Sequence, residues 1–298
     1  MARILDGKWV RDEILKELKP RVADLTRRGR RPGLAVVLVG NDPASEIYVR
    51  NKEKASAEMG ILSEKYTPAE SVSTEELLVL IDSLNARDDI DGILVQTPLP
   101  RHVDSRRVLV AVKPDKDVDG FHPVNVGKLV ANMPGPRACT PAGIIQLLKR
   151  YEIPITGQHA VVMGRSDIVG KPMALLLLHE SATVTVCHSR TRDLPGECRR
   201  ADILVCAIGR PAFVTRDFIK PGATVIDVGI NRITDADQLK KIFGDTPSRS
   251  IIGDAHPVEA AEAAGAYTPV PGGVGPLTIA MLMSNTVQAA EDHLRCSA

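Results

Sequence analysis

Six short runs of aliphatic, often β-branched residues recur along the 298-residue chain, and they limit its fold more than any other feature. They cover residues 34–39, 92–96, 158–163, 182–187, 202–207 and 223–228, and most are closed by glycine or proline turns such as Gly40, Thr97-Pro98, Gly164 and Gly229. A continuous apolar run of this length suits a strand covered on both faces. Helical periodicity between the runs gives the order strand, helix, strand, which predicts parallel pairing through crossover helices. The length is comfortable for two cores, so two α/β domains of roughly 120 to 170 residues each are expected.

Local signals place the helices. Residues 10–28 have helical spacing, with a kink or break expected at Pro20. Residues 61–66 form a weaker strand, and Ser73 with Glu76 has the spacing of a capping box that opens a helix to about Leu84. The stretch 133–138, MPGPRA, is linker-like, and a helix follows Cys139-Thr140-Pro141. Residues 232–250 are polar and read as an irregular surface excursion. Residues 267–276 hold too much proline and glycine for a regular element, and an apolar helix from Leu277 to about Leu294 packs back on the first domain.

Charge and cysteine usage exclude several classes. Thirty-eight Lys and Arg face 37 Asp and Glu without long blocks of one sign, which argues against nucleic-acid or membrane-surface partners. The first residues lack an apolar signal core and no run has the length to span a bilayer, so a cytoplasmic protein is expected. The five cysteines form no CxxC and no Cys/His ligand spacing, which argues against a structural metal and a disulfide framework.

Candidate chemistry begins in DPASEIYVRNKEKASA, residues 42–57. Tyr48 and Lys52 are four apart on one helix face, with Ser45 about one turn earlier, giving a hydroxyl, a phenol and an amine in a row. The alternative is that Lys52 and Lys54 merely solvate an exposed helix beside Glu46 and Glu53. Ligands in parallel sheets bind beyond the carboxyl ends of strands, so the ends near Gly40 and Gln96 share a cleft with that face. Residues 114–125, PDKDVDGFHPVN, form a third wall. Asp115, Asp117 and Asp119 alternate as hard-cation ligands do, but the further oxygen ligands of a calcium loop are missing and no metal is expected. One of these carboxylates can instead accept paired hydrogen bonds from the edge of a heterocycle.

The second half carries a nucleotide signal. A strand runs into Gly164-Arg165-Ser166-Asp167-Ile168-Val169-Gly170-Lys171-Pro172, where five residues separate the glycines and proline follows the lysine, so it is not a Walker A loop. Ser166 also replaces the middle glycine of the dinucleotide fingerprint. What remains is strand, glycine turn and helix N-terminus, where free amides favour a phosphate or form a tight structural turn. About 20 residues on, where an NAD site carries an acid for the ribose, stand His188, Ser189 and Arg190. Serine and arginine, with Arg165, suit a 2′-phosphate, and NADP is preferred over NAD.

Together YVRNK at 48–52, PDKDVDGFHPVNVGKL at 114–129, CTP at 139–141, GRSDIVGKP at 164–172, VGIN at 228–231 and TPVPGGVGPLT at 268–278 resemble the bifunctional methylenetetrahydrofolate dehydrogenase/cyclohydrolase family, the bacterial FolD type. The resemblance covers nearly the whole chain. It implies two α/β domains around a folate cleft, the second a Rossmann-type parallel-sheet dinucleotide-binding domain through which a homodimer forms. The expected division is 1–140 plus 277–298 for folate and catalysis and 141–276 for NADP. The implied activity, in one-carbon metabolism, is NADP-dependent oxidation of 5,10-methylenetetrahydrofolate to 5,10-methenyltetrahydrofolate, then hydrolysis to 10-formyltetrahydrofolate. Alternatives are a dehydrogenase with little cyclohydrolase activity, an NAD-preferring relative, or an inactive nucleotide-binding regulator. Carried over by position, Lys52 serves the cyclohydrolase step, Tyr48 orients the folate, Gln96 tunes the lysine and Asp119 holds the pterin edge. Pro271, Gly272 and Gly273 line the folate side. Cys139, Thr140, Gly164, Arg165, Ser166, Ser189, Arg190, Ile230 and Thr278 fall on cofactor positions. Thr97, Arg137-Ala138 and GDAHPVE at 253–259 depart from the family pattern.

Overall fold

In a computed structural model, residues 2–244 and 250–296 of the chain are described, and they form two compact units. The first comprises Asp12–Cys139 and the chain from Ile279 onward; the second comprises the chain through Arg11 and Thr140–Thr278. Three helices, Gly7–Arg27, Cys139–Arg150 and Gly275–Cys296, carry the chain across these divisions.

The first unit is built on a three-stranded parallel sheet with Gly33–Val37 between Leu62–Tyr66 and Gly92–Val95. Every residue of Gly33–Val37 is buried, as its unbroken apolar run predicts. Ala35 and Val37 turn one sheet face toward Leu77, Ile81 and Leu84 of the helix Thr74–Asn85. That helix starts where expected, because Ser73 accepts from the Glu76 amide while the Glu76 carboxylate accepts from the Ser73 amide. At its far end the buried Lys116 ammonium donates to the carbonyls of Asn85 and Arg87 at 3.1 and 2.5 Å. Lys116 thus holds down one end of the acidic loop, and the Ile93 amide donates to its carbonyl at 2.8 Å, drawing residues 116–117 alongside Gly92–Val95.

The second unit carries a six-stranded, all-parallel sheet in the order Arg3–Ile4, Ala266–Tyr267, Thr224–Asp227, Ile203–Cys206, His159–Met163, Thr183–Cys187. Chain order reverses at His159–Met163: the next strand lies on one side and the following ones on the other, the Rossmann-type arrangement. Because Arg3–Ile4 pairs with Ala266–Tyr267, residues 2–11 group here and not, as the division at 140 has it, with the first unit.

Other elements differ from expectation. Gly7–Arg27 is one helix with Pro20 inside it, so the chain does not break into two there. Val10, Ile14, Leu18, Val22 and Leu25 make one buried stripe along it, and that burial outweighs the single backbone bond the proline removes. The excursion at 232–250 is not wholly irregular. Asn231–Arg232 pairs antiparallel with Ile251–Ile252, and a helix Ala236–Phe243, capped by Asp235, packs Leu239 and Ile242 against Ile233 and Ile252. Residues 245–249 of that stretch lie outside the described residues. The helix at Cys139–Arg150 begins one residue before Thr140, and the strand Ala266–Tyr267 takes the first residue of the Pro/Gly loop.

Candidate active site and cofactor site

In the first unit, the helix Pro43–Met59 follows the central strand directly, and Asp42 caps it by accepting from the Ser45 amide at 2.8 Å. Its buried face is formed by Ser45, Val49, Lys52, Ala55, Ser56 and Met59. Lys52, only 8% exposed, therefore lies on the packed side of the helix, whereas Lys54 is exposed. This decides against the solvating role for Lys52. Its ammonium donates to Gln96 Oε1 at 2.9 Å, and Gln96 Nε2 donates to the Thr97 carbonyl at 2.8 Å, which turns the amide oxygen toward the lysine. Gln96 itself is fixed because its backbone amide continues the sheet, donating to the Val37 carbonyl at 2.9 Å. Tyr48, one turn before Lys52, is 40% exposed, so its ring presents an open face, and burial of its remainder holds the phenol above its ordinary pKa.

The three acids of the 114–125 loop have separate jobs. Asp115 is exposed and lies 3.4 Å from His293 Nε2. Asp117 is buried and shapes the loop: Oδ1 accepts from the Gly120 amide at 3.1 Å, and Oδ2 from the His122 amide and Asn125 Nδ2 at 2.8 and 2.9 Å. Asp119 lies between those anchors, and its carboxylate is the candidate for binding a ligand. Burial pushes its pKa up to about 6; the nearby Lys52 charge opposes that rise and the Asp117 charge adds to it. Among the described residues no group of His, Cys, Asp and Glu is arranged to hold a metal ion. Cys139 lies in this unit too, buried with Sγ 3.4 Å from the Val118 carbonyl, and burial with the neighbouring Asp119 charge holds its thiol well above its ordinary pKa. Asn285 was not legible in the sequence. Its Nδ2 reaches the carbonyls of Val118 and Arg137 at 2.8 and 3.0 Å and so fixes the backbone just before Asp119.

In the second unit, the glycine turn has the tightness expected of a dinucleotide cradle. Gly164 has φ +121, and a side chain there would meet the Ala207 carbonyl at 2.1 Å; at Gly170 it would meet the Gly164 carbonyl at 2.3 Å. Ser166 Oγ accepts from the amides of Val169 and Gly170 at 3.2 and 3.3 Å, closing the turn at the N-terminus of the helix Gly170–His179. Arg165, Ser166, Ser189 and Arg190 are all exposed at the carboxyl ends of adjacent strands. A cramped backbone turn at a helix N-terminus with two guanidinium groups on neighbouring strand ends fits a phosphorylated dinucleotide.

The remaining predicted positions also fall in this unit. Thr140 and Thr278 share a 2.9 Å hydroxyl–hydroxyl bond where their helices cross, and Gly143 lets that crossing close, since a side chain there would lie 2.6 Å from Leu277. Pro271, Gly272 and Gly273 form a turn against the N-terminal segment, with the Gly7 amide donating to the Gly272 carbonyl at 3.0 Å. Ile230 is exposed after the strand Thr224–Asp227, near Gly275. Sequence reasoning missed two buried acids beneath these loops, Asp227 and Asp254, 1% and 0% exposed. The one hint was the pair of glycines, Gly229 and Gly253, set beside them.

Residues 5–119 match the family model described as tetrahydrofolate dehydrogenase/cyclohydrolase, catalytic domain, and residues 138–294 match the corresponding NAD(P)-binding domain. The chain belongs to the tetrahydrofolate dehydrogenase/cyclohydrolase family. Within that family it is 65% identical to a protein named bifunctional protein FolD from Solibacter usitatus, over 98% of each chain. Its structure resembles that of the bifunctional FolD enzyme, methylenetetrahydrofolate dehydrogenase/cyclohydrolase, from Campylobacter jejuni, with TM-score 0.91 and 45% identity over 98% of this chain and 99% of that one. It is equally similar, TM-score 0.91 at 40% identity over 99% of each chain, to the Trypanosoma brucei dehydrogenase-cyclohydrolase solved with NADP cofactor and inhibitor. Among the described residues no helix is long and apolar enough to cross a membrane.

Proposed function

We propose that Lys52, Tyr48, Gln96 and Asp119 carry the folate chemistry of this chain and that the Gly164 turn with Ser189 and Arg190 holds its cofactor. The chain is a bifunctional enzyme: it oxidises 5,10-methylenetetrahydrofolate to the methenyl compound with NADP, and hydrolyses that product to 10-formyltetrahydrofolate. The observation that carries the residue assignment is the buried Lys52 ammonium, held 2.9 Å from Gln96 Oε1 at a strand end.

For the oxidation the chain's contribution is positioning. Tyr48 offers its exposed ring to the folate, and the Asp119 carboxylate accepts from the N–H edge of the pterin, so the carbon that loses hydride is held in one orientation. NADP, when bound, supplies the hydride acceptor; Gly164, Arg165 and Ser166 hold its phosphates and Ser189 and Arg190 its 2′-phosphate. Thr140, Thr278 and Ile230 border the same cofactor. Hydrolysis needs proton transfer in both directions, from the attacking water and to the ring nitrogen that leaves. Lys52 performs it as the free amine, taking the water's proton on Nζ and passing it to the departing ring nitrogen, while an N–H to Gln96 Oε1 keeps the amine aimed.

We further infer that the enzyme is cytoplasmic and forms a homodimer through the second unit. Among the described residues Thr183–Cys187 is an edge strand paired only with His159–Met163, and Val186 is 40% exposed on it, which supports pairing with a second copy. Sedimentation should give the mass of two chains; a monomer at micromolar concentration contradicts the dimer.

One absorbance time course tests the enzymatic reading. With methylenetetrahydrofolate and NADP, methenyltetrahydrofolate should rise and then decay, and NAD should support a slower rise. No reduction of either cofactor would overturn it.

A further inference from the structure

Ile203–Cys206 and Thr224–Asp227 lie on the opposite side of His159–Met163 from Thr183–Cys187, whose end bears Ser189 and Arg190. A dinucleotide lying across such a reversal puts its adenosine half toward Thr183–Cys187 and its nicotinamide half toward the other two strand ends. The loops at those ends are 207–210 and 228–231.

Both are tied to one buried carboxylate. Asp254 Oδ2 accepts from the amides of Ile208 and Gly209 at 2.6 and 3.0 Å. Oδ1 accepts from the Arg210 amide and from Asn231 Nδ2, each at 2.9 Å. Four donors from two loops thus fill the four lone-pair positions of a side chain with no exposed surface. Asp254 is itself held by Asp227, whose Oδ1 accepts from the amides of Asp254 and Gly229 at 2.8 and 3.0 Å and whose Oδ2 accepts from the Ala255 amide at 2.9 Å. The approach leaves no room for side chains: a Cβ at Gly253 would lie 1.8 Å from Asp227 Oδ2, and one at Gly229 2.4 Å from Asp254 Oδ1.

We propose that Asp254 is a positioning residue for the nicotinamide half of the cofactor, fixing the two strand-end loops, one of which carries Ile230, without touching the ligand. This rests on the assignment of the second unit to NADP. It separates the two halves of the cofactor site: among the described residues Ser189 and Arg190, beyond His159–Met163 at the end of Thr183–Cys187, make no bond to Asp254 or to the loops it holds.

The test is calorimetric titration of the full-length protein and its Asp254→Asn variant with NADP and with adenosine 2′,5′-bisphosphate, the adenosine half alone. The asparagine keeps the shape but turns an amide NH2 toward backbone N–H donors, so donors meet donors. The variant should lose about tenfold or more in NADP affinity, the equivalent of one or two lost charge-assisted bonds, and keep its affinity for the bisphosphate within about twofold. NADP affinity unchanged, or both ligands weakened alike, overturns the proposal. A wild-type protein that binds neither ligand overturns the cofactor assignment instead. Should Asp254→Asn not fold, Asn231→Ala removes one donor of the four; it should weaken NADP about threefold and leave the bisphosphate unchanged, and an unchanged NADP affinity again overturns the proposal.

Discussion

The Lys52 site and the Gly164 site are both at strand ends of parallel sheets, yet they are made of different material. In the first unit, side chains hold side chains: Gln96 aims Lys52, and Asp117 shapes the loop that presents Asp119. In the second, backbone faces the ligand position, and the buried acids Asp227 and Asp254 lie underneath, bonded almost wholly to amides. The difference suits the chemistry proposed for each. Proton transfer and recognition of a heterocycle edge need particular functional groups, whereas a pyrophosphate is held by amides and a helix end. One consequence is that truncating a side chain in the first site should remove a chemical step, while in the second it should shift geometry or affinity.

Four substitutions sharpen that contrast, in descending order of effect. Asp119→Ala should lower kcat/KM for both activities about a hundredfold or more, because a charge-assisted contact to the pterin is lost from both reactions; loss of only one activity contradicts its role in holding the folate. Gln96→Leu should lower cyclohydrolase turnover about thirtyfold, within the range for a misdirected acid–base group, and leave the dehydrogenase close to wild type. Arg190→Ala should reduce the preference for NADP over NAD about tenfold through KM of NADP alone; an unchanged ratio moves the 2′-phosphate contact elsewhere. The smallest effect is on stability. The pKa of Asp119 is about 6 in the folded chain against 3.8 when free, so its protonated form favours folding; that stability is present below about pH 4 and is lost as pH rises through about 6. The Tm of Asp119→Asn relative to wild type should therefore rise by a few degrees between pH 4 and pH 7, and a difference flat with pH rules out the buried ionisation.

The second site was the more legible in sequence. Gly170 is forced by close approach to the Gly164 carbonyl earlier in the same turn, and a constraint of that kind leaves its mark locally; Gly164 itself is marked by its positive φ, though the backbone it approaches is that of Ala207 on the next strand end. The strands were readable for a similar reason, since Gly33–Val37 and Ile203–Cys206 are unbroken apolar runs, His159–Met163 is apolar after its first residue, and Thr224–Asp227 carries Val225 and Ile226 between its polar ends. Asp254 was not readable: its partners Ile208 and Asn231 are 46 and 23 residues away, and no local pattern announces them. Lys52 falls between these cases. Its spacing from Tyr48 is visible, but whether the lysine faces solvent or the core depends on which helix face meets the sheet. A break at Pro20 and irregular chain over Ala236–Phe243 are the opposite case, in which a local signal gives way to burial of an apolar stripe.

The division of labour between the two sites is tested most directly by Lys52→Met, followed in one reaction with methylenetetrahydrofolate and NADP. NADPH should form at a rate near that of the wild type while methenyltetrahydrofolate accumulates and decays no faster than its spontaneous hydrolysis. If the methenyl compound instead disappears at the wild-type rate, Lys52 does not carry the hydrolytic proton and the division of labour between the two sites fails.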